Sequence, residues 1–313
     1  LLGRGALAQT AAERARELGA SLHRRERQHV EALGLAVSGQ GPRALALIRE
    51  HVAEFPRDVM ALGAANGIYG LIGFSGRQDR NEAMLALLES VAPAYGDDWW
   101  FLGAHGFART EALGWKAGAP LIERSLTRAP RNAHAAHAWA HVCYEKGDDR
   151  AGAQFVADWL PGYPKTGSLH CHLSWHRAVF EVAQGRLDAA LALYDADIRP
   201  GASQCAPFST LVDSASLLWR RELAGAPIHV GIRTAMRWFA GDARDDLRGV
   251  VGRGVLQQRG HEQRAMLHQA EHGDVLRVNG MSWPQCYSGN AARRRKTWVC
   301  RRGTGCCGKG ARG

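Results

Sequence analysis

The sequence predicts an all-α architecture, a stack of about six helical hairpins, and three observations predict it. Glycines recur at Gly39, Gly76, Gly114, Gly147, Gly185 and Gly225, spaced 37, 38, 33, 38 and 40 residues apart. Each follows one helical stretch and precedes a second, amphipathic one, as in RERQHVEALGLAVSG before PRALALIREHVAEFPRD. A glycine just past the last periodic residue stops a helix by accepting the left-handed conformation, which a Cβ disfavours. Pro56, Pro130 and Pro200 then punctuate the ends of second helices, since proline cannot continue one.

Taken in order, the chain starts with LLGRGALAQTAAERARELG, which reads as beginning inside a helix. The charge run HRRERQH that follows is a solvated helix face, with pairing at i, i+3 and i, i+4. The second unit is the weakest, because NGIYGLIGFSG carries too many glycines for a good helix. Units built on NAHAAHAWAHVCYEKG and on SWHRAVFEVAQG with RLDAALALYDADIRP are the clearest. Five residues after the turn glycine a small residue recurs (Ala44, Ala119, Gly152, Ala190), where the two helices of a pair approach closely. A helix, a glycine turn and a helix at this period is the pattern of a tetratricopeptide-like, right-handed α-solenoid. One such unit cannot bury its own apolar stripe, so neighbours must stack.

Composition bounds the rest. With 313 residues and 46% apolar side chains, the chain is long and apolar enough to bury a sizeable core. No run reaches the roughly 18 to 20 apolar residues of a membrane span. The net charge of +10 is unevenly placed. Residues 241–313 hold 14 Arg/Lys against 6 Asp/Glu, whereas residues 1–240 hold 26 against 24. The nearly neutral body carries no charge signal for nucleic acid, and any such binding is expected of the basic tail. That tail, 241–313, is rich in Gly, Arg and Cys and loses helical periodicity. Its composition fits disorder or a shifted reading frame. Cys286, Cys300, Cys306 and Cys307 lie there, without the paired spacing of a zinc knuckle. The repeat domain is expected over residues 6–240. Its three scattered cysteines, Cys143, Cys171 and Cys205, suit buried thiols in a reducing, cytoplasmic compartment.

The histidines are the chemically distinctive feature. His137 and His141 are four apart, as are His172 and His176, which places each pair on one helix face. Counted back from the turn glycine, His29 and His137 stand at ten, His105 and His176 at nine, and His141 at six. These offsets belong to first helices, on or beside the face lining a concave groove, so histidines of successive units should converge. Glu145 extends the stripe of His137 and His141, and either Asp213 or Glu145 is a candidate to orient a histidine. Three readings follow: a transition metal such as zinc held by the two pairs; acid–base chemistry by an oriented histidine; or histidines that merely satisfy one another in packing. The metalloprotease motif is excluded, because Ala138 stands where its glutamate would follow the first histidine. Trp99, Trp100, Trp139, Trp159, Trp175 and Trp219 are read mainly as inter-repeat packing, with an aromatic-lined peptide groove as the competing reading.

Residues 137–195 also resemble the tetratricopeptide repeat protein 38 family. The resemblance is carried by His137, Ala140, His141 and Val142; by His172, Trp175, His176 and Ala178; and by Asp188, Ala189, Ala190, Leu191, Tyr194 and Asp195. His105 in LGAHGF, and Asp213 and Trp219 in LVDSASLLWR, match further family positions. Leu173 departs from the pattern, standing where the family has Asn, and the family's later histidine-bearing segment has no counterpart in 241–313. The resemblance implies a large helical, tetratricopeptide-like protein and implies no particular reaction.

The expected function is therefore a scaffold whose concave groove binds a peptide, a protein partner or a small ligand. Its expected site residues are His105, His137, His141, His172, Trp175, His176 and Asp213. The alternative is a metal- or histidine-dependent enzyme using the same histidines, and the sequence leaves open whether any reaction is catalysed.

Overall fold

The computed structural model describes residues 5–67 and 69–227. The expected repeat domain is thus seen to residue 227. Its remainder to 240, and the whole 241–313 tail with its four cysteines, lie outside the described residues. Among the described residues there are twelve α-helices and no strand, and no helix is long and apolar enough to cross a membrane.

The helices pack in adjacent pairs. Helix α1 (Gly5–Gly19) lies on α2 (Arg24–Val37), which pairs with α3 (Gly41–Glu54). Then come α4 (Val59–Ala65) and α5 (Arg80–Tyr95), α6 (Trp99–Leu113) with α7 (Trp115–Arg128), and α8 (Ala133–Lys146) with α9 (Asp149–Trp159). Helix α10 (His170–Ala183) pairs with α11 (Leu187–Leu193), which ends in a π turn over Tyr194–Ile198, and α12 (Pro207–Leu223) follows. All six turn glycines singled out by spacing have positive φ, between 74° and 96°. The second unit is as weak as its glycines imply: α4 has seven residues and the chain leaves the helix at Asn66.

The small residues mark close approaches, though not always within a pair: Gly152 of α9 meets α10 of the next pair. Ala44 and Ala190 are wholly buried, and a Cβ added to Gly152 would lie 2.5 Å from the Phe180 ring. A Cβ on Gly118 of α7 would collide with the Gly106 carbonyl of α6, so these two helices meet backbone to backbone. The charge run at 23–29 departs from expectation. Arg24 reaches across to Glu50 and Glu54 of α3, tying two helices together where pairing within one helix was expected.

A packing row results. Helices α6, α8, α10 and α12 touch in sequence, α6 on α8, α8 on α10 and α10 on α12, while α7 and α9 pack on both the helix before and the helix after them. Alanines make the close approach of α8 feasible: Ala135, Ala136, Ala138 and Ala140 have no exposed surface. The buried apolar side chains form serial clusters, one around Ile48, Leu62 and Leu88, another around Trp175, Ile198 and Leu217. A core distributed in this way is what helix pairs give when each buries its stripe against its neighbours.

Candidate metal centre

Helix α8 is fixed at both ends. The Asn132 side chain accepts from the backbone N–H groups of His134 and Ala135 at its start. At its end Gly147, at φ 77°, lets the N–H of Gly147 reach Tyr144 O and that of Asp148 reach Cys143 O. Such caps satisfy backbone groups that a helix end leaves without partners. Helix α10 ends in the same way at Gly185. With both helices set, the i, i+4 pairs His137/His141 and His172/His176 face each other across the α8–α10 contact.

The ligand atoms of these four histidines all lie within 4.8 Å of one another. His137, His141 and His176 are buried, and the His172 side chain retains 15% of its exposure. The rings pack with centroids 4.5 Å apart for His137–His141, 4.7 Å for His172–His176 and 4.8 Å for His141–His176. Phe107 of α6 meets His141 edge-on at 5.1 Å, and Trp175 stacks on His172 at 5.2 Å. Apolar rings thus wall the cluster on two sides.

The outer nitrogens are anchored by carboxylates from the flanking helices. His141 Nδ1 donates to Glu111 Oε1 of α6 at 2.9 Å. His172 Nδ1 donates to Asp213 of α12, at 2.9 Å to Oδ1 and 3.1 Å to Oδ2. A carboxylate only accepts, so it draws the ring proton to Nδ1 and leaves the Nε2 lone pair pointing inward. The Nε2 atoms of His172 and His176 are buried without a hydrogen-bond partner. His137 Nε2 donates to His141 Nε2 at 2.9 Å. Helices α6, α8, α10 and α12 therefore each contribute to one centre, ligands from the inner two and anchors from the outer two.

Electrostatics keeps the inner rings unprotonated. Burial drives the His137 pKa well below the ordinary histidine value, helped by His141, His172, His176 and His134. Burial does the same for His176, helped by His172, His141 and Arg220. Neutral imidazole is the form that binds a metal. An ion at the centre would face four imidazole nitrogens, with carboxylates behind His141 and His172 to balance its charge.

Of the expected site residues, the structure brings together His137, His141, His172, Trp175, His176 and Asp213. It does not bring in His105. That side chain lies on α6 but turns toward α5, its ring 5.4 Å from that of Phe101 and its Nε2 3.9 Å from Glu89. The physical reason is its neighbour: α6 abuts α5 there, and α5 carries no histidine. Nor is Glu145 the anchor of His141 Nδ1, which goes to Glu111 on the adjacent helix. Glu111 was not singled out by sequence reasoning, and nothing in ARTEALG distinguishes it from a surface acid.

No family model matches the chain, and no solved structure matches it.

Proposed function

We propose that this chain is a helical-repeat metalloprotein that binds one divalent transition ion, with zinc as the reference ion, through His137, His141, His172 and His176. The observation that carries the reading is the shape of the hydrogen bonding. Two rings have their outer nitrogens held by carboxylates from separate helices, the buried Asp213 and the partly buried Glu111, while inner nitrogens converge and two of them have no partner. His137 and His141 do bond to each other, but His172 and His176 leave their inner nitrogens without partners, and an unsatisfied buried nitrogen costs about 1–3 kcal/mol that packing alone would avoid. Carboxylate-anchored histidines with free inner nitrogens are the usual surroundings of a metal-ligating imidazole. Imidazole donors suit zinc, copper, iron and nickel, and oxygen-seeking magnesium or calcium poorly.

Four nitrogens complete a tetrahedral shell, the pattern of a closed site; hydrolytic zinc keeps one position open. The reading is therefore one of binding and bracing, in which the ion holds α8 to α10 and, through the anchors, α6 and α12 in one row. That row supports the wider expectation as well: a tetratricopeptide-like solenoid of the protein 38 type, whose grooved face takes a peptide, protein or small ligand. Free thiols at Cys143, Cys171 and Cys205 support a reducing, cytoplasmic setting for it.

Cobalt substitution is the test. The purified chain should take up one cobalt ion with the spectrum of nitrogen ligation and without a thiolate charge-transfer band. His141→Ala/His176→Ala should abolish that spectrum while far-UV circular dichroism stays helical. A thiolate band, or uptake unchanged in the double variant, would place the ion elsewhere and end the proposal.

A further inference from the structure

Directly behind the histidine centre lies a second reactive group that the metal reading does not use. Cys205 stands in the loop between the π turn and α12, half-buried, and Cys171 is wholly buried in the first turn of α10. Two contacts tie them to each other and to the anchor of His172. The backbone N–H of Cys171 donates to Cys205 Sγ at 3.3 Å, one of the first-turn donors with no acceptor inside the helix. The Cys171 thiol also lies 3.7 Å from Asp213 Oδ2, the carboxylate that holds His172 Nδ1.

We infer that Cys171 and Cys205 form an oxidisable dithiol whose closure by a hydroperoxide loosens the ion held by the neighbouring histidines. The first half rests on the thiols alone; the second rests on the metal reading above. The division of labour follows from access and environment. Cys205 is the partner that solvent reaches, and it sits at a helix N-terminus where N–H groups favour a thiolate. Hydrogen bonding from Cys171 lowers the Cys205 pKa to about 6, against the opposing effect of burial. Cys171, wholly buried beside it, is the thiol left to resolve the oxidised sulfur.

The chemistry balances in two steps. The Cys205 thiolate attacks one peroxide oxygen; the S–O bond forms as the O–O bond breaks, and the departing oxygen takes a proton to leave as water or alcohol. Cys171 sulfur then attacks Cys205 sulfur; the S–S bond forms, the S–O bond breaks, and hydroxide leaves with the Cys171 proton as water. Two thiols and one hydroperoxide give a disulfide and two hydroxyl products. Closure removes the Cys171 S–H from Asp213 and tethers the start of α10 to the loop before α12. Both changes disturb the carboxylate that aims His172, and outer-shell disturbance typically weakens metal binding about 10- to 100-fold.

The full chain, reduced and then treated with hydrogen peroxide, is digested without reductant and analysed by mass spectrometry, and zinc affinity is measured on both forms. The expected result is a Cys171–Cys205 cross-linked peptide and zinc affinity at least tenfold weaker, restored by dithiothreitol. Cys205→Ser, which alters no ligand, should form no such cross-link and keep its zinc affinity through the same treatment. Recovery of the two cysteines as separate peptides would overturn the inference, and so would a cross-linked chain with unchanged zinc affinity. A reduced chain that binds no zinc would sink the metal reading, and the cross-linked peptide alone would then decide the thiol pair.

Discussion

The N-terminal helices and the α6–α12 row each bury histidine, and they do so in opposite ways. His51 of α3 has no exposed surface, and each of its ring nitrogens has a partner: Nδ1 meets Gln28 Oε1 and Nε2 meets Asp58 Oδ2, both at 3.1 Å. The Gln28 amide is oriented by its own bond to Glu50, and Asp58 is paired with Arg25 as well. His51 itself has nothing left over for a ligand, although Nε2 of the neighbouring His29 is buried without a hydrogen-bond partner. In the quartet, by contrast, outer nitrogens are anchored and inner ones converge, two of them without partners. Burial alone therefore does not mark a functional histidine; the direction in which its unsatisfied nitrogen points does.

The comparison breaks first at the metal. His141→Ala/His176→Ala should reduce bound zinc from one ion per chain to none by elemental analysis. It should also abolish the thermal stabilisation that zinc confers, which at a thousandfold excess over Kd amounts to about 4 kcal/mol. His51→Ala should do the reverse. Zinc stoichiometry stays at one, while chemical denaturation shows a loss of about 2–4 kcal/mol, because Asp58 and Gln28 lose a shared buried partner. If His51→Ala lowered zinc content as much as the double variant, the two regions would not be distinct in kind.

Next come the anchors. Asp213→Asn keeps the shape of the side chain but weakens its hold on His172 Nδ1, and Glu111→Gln does likewise for His141. Zinc affinity should fall about 10- to 100-fold for either change, read by competition with a chelator. Equal affinity in wild type and both variants would show that the carboxylates serve packing only.

Acid sharpens the contrast by region. His105, His134, His137, His170 and His176 all have pKa values lowered chiefly by burial. A histidine lowered in the folded protein contributes stability that is fully present above about pH 6.5 and lost as pH falls toward its folded value, because the unfolded chain takes up the proton first. The metal-free protein should thus lose up to about 1.4 kcal/mol per pH unit for each such group. Asp58, in the N-terminal region, is also held low. Burial would raise it, and its bonds with His51 and the Ala61 N–H, with Arg25 nearby, outweigh that. Its loss comes only below its ordinary value near 3.8. Hydrogen exchange between pH 6.5 and 4.5 should therefore open α8 and α10 ahead of α2 to α4, and the opposite order would refute the assignment.

How much of this was legible in the sequence depends on distance along the chain. The turn glycines and small residues are local signals, and each turn glycine took a positive φ, although Gly114, at ψ 161°, is not left-handed helical. The two histidine pairs are local too, since i, i+4 fixes a shared face without any knowledge of the neighbour. Glu111 and His105 were not legible because their roles are set by which helix lies alongside. His105 and His176 share the same offset from their turn glycines, yet one faces α5 and the other faces α8. Glu111 meets His141 only because α6 packs against α8. Periodicity specifies a face; the chemistry opposite it comes from the stack.

The smallest expected effect separates the turn from the site it serves. Gly185 has φ 77°, and a Cβ added there would meet nothing within 4 Å. Gly185→Ala should therefore cost only the left-handed strain, about 1 kcal/mol, with zinc affinity unchanged. Gly152→Ala offers the control, because its Cβ would overlap the Phe180 ring that packs α9 against α10. Overpacking of this kind costs about 1–3 kcal/mol, and the shift it forces on α10 should reach His172 and His176. A thermal melt paired with zinc titration distinguishes the two glycines. If Gly185→Ala weakened zinc as much as Gly152→Ala, the turn would be setting the angle of α10 as well as ending it.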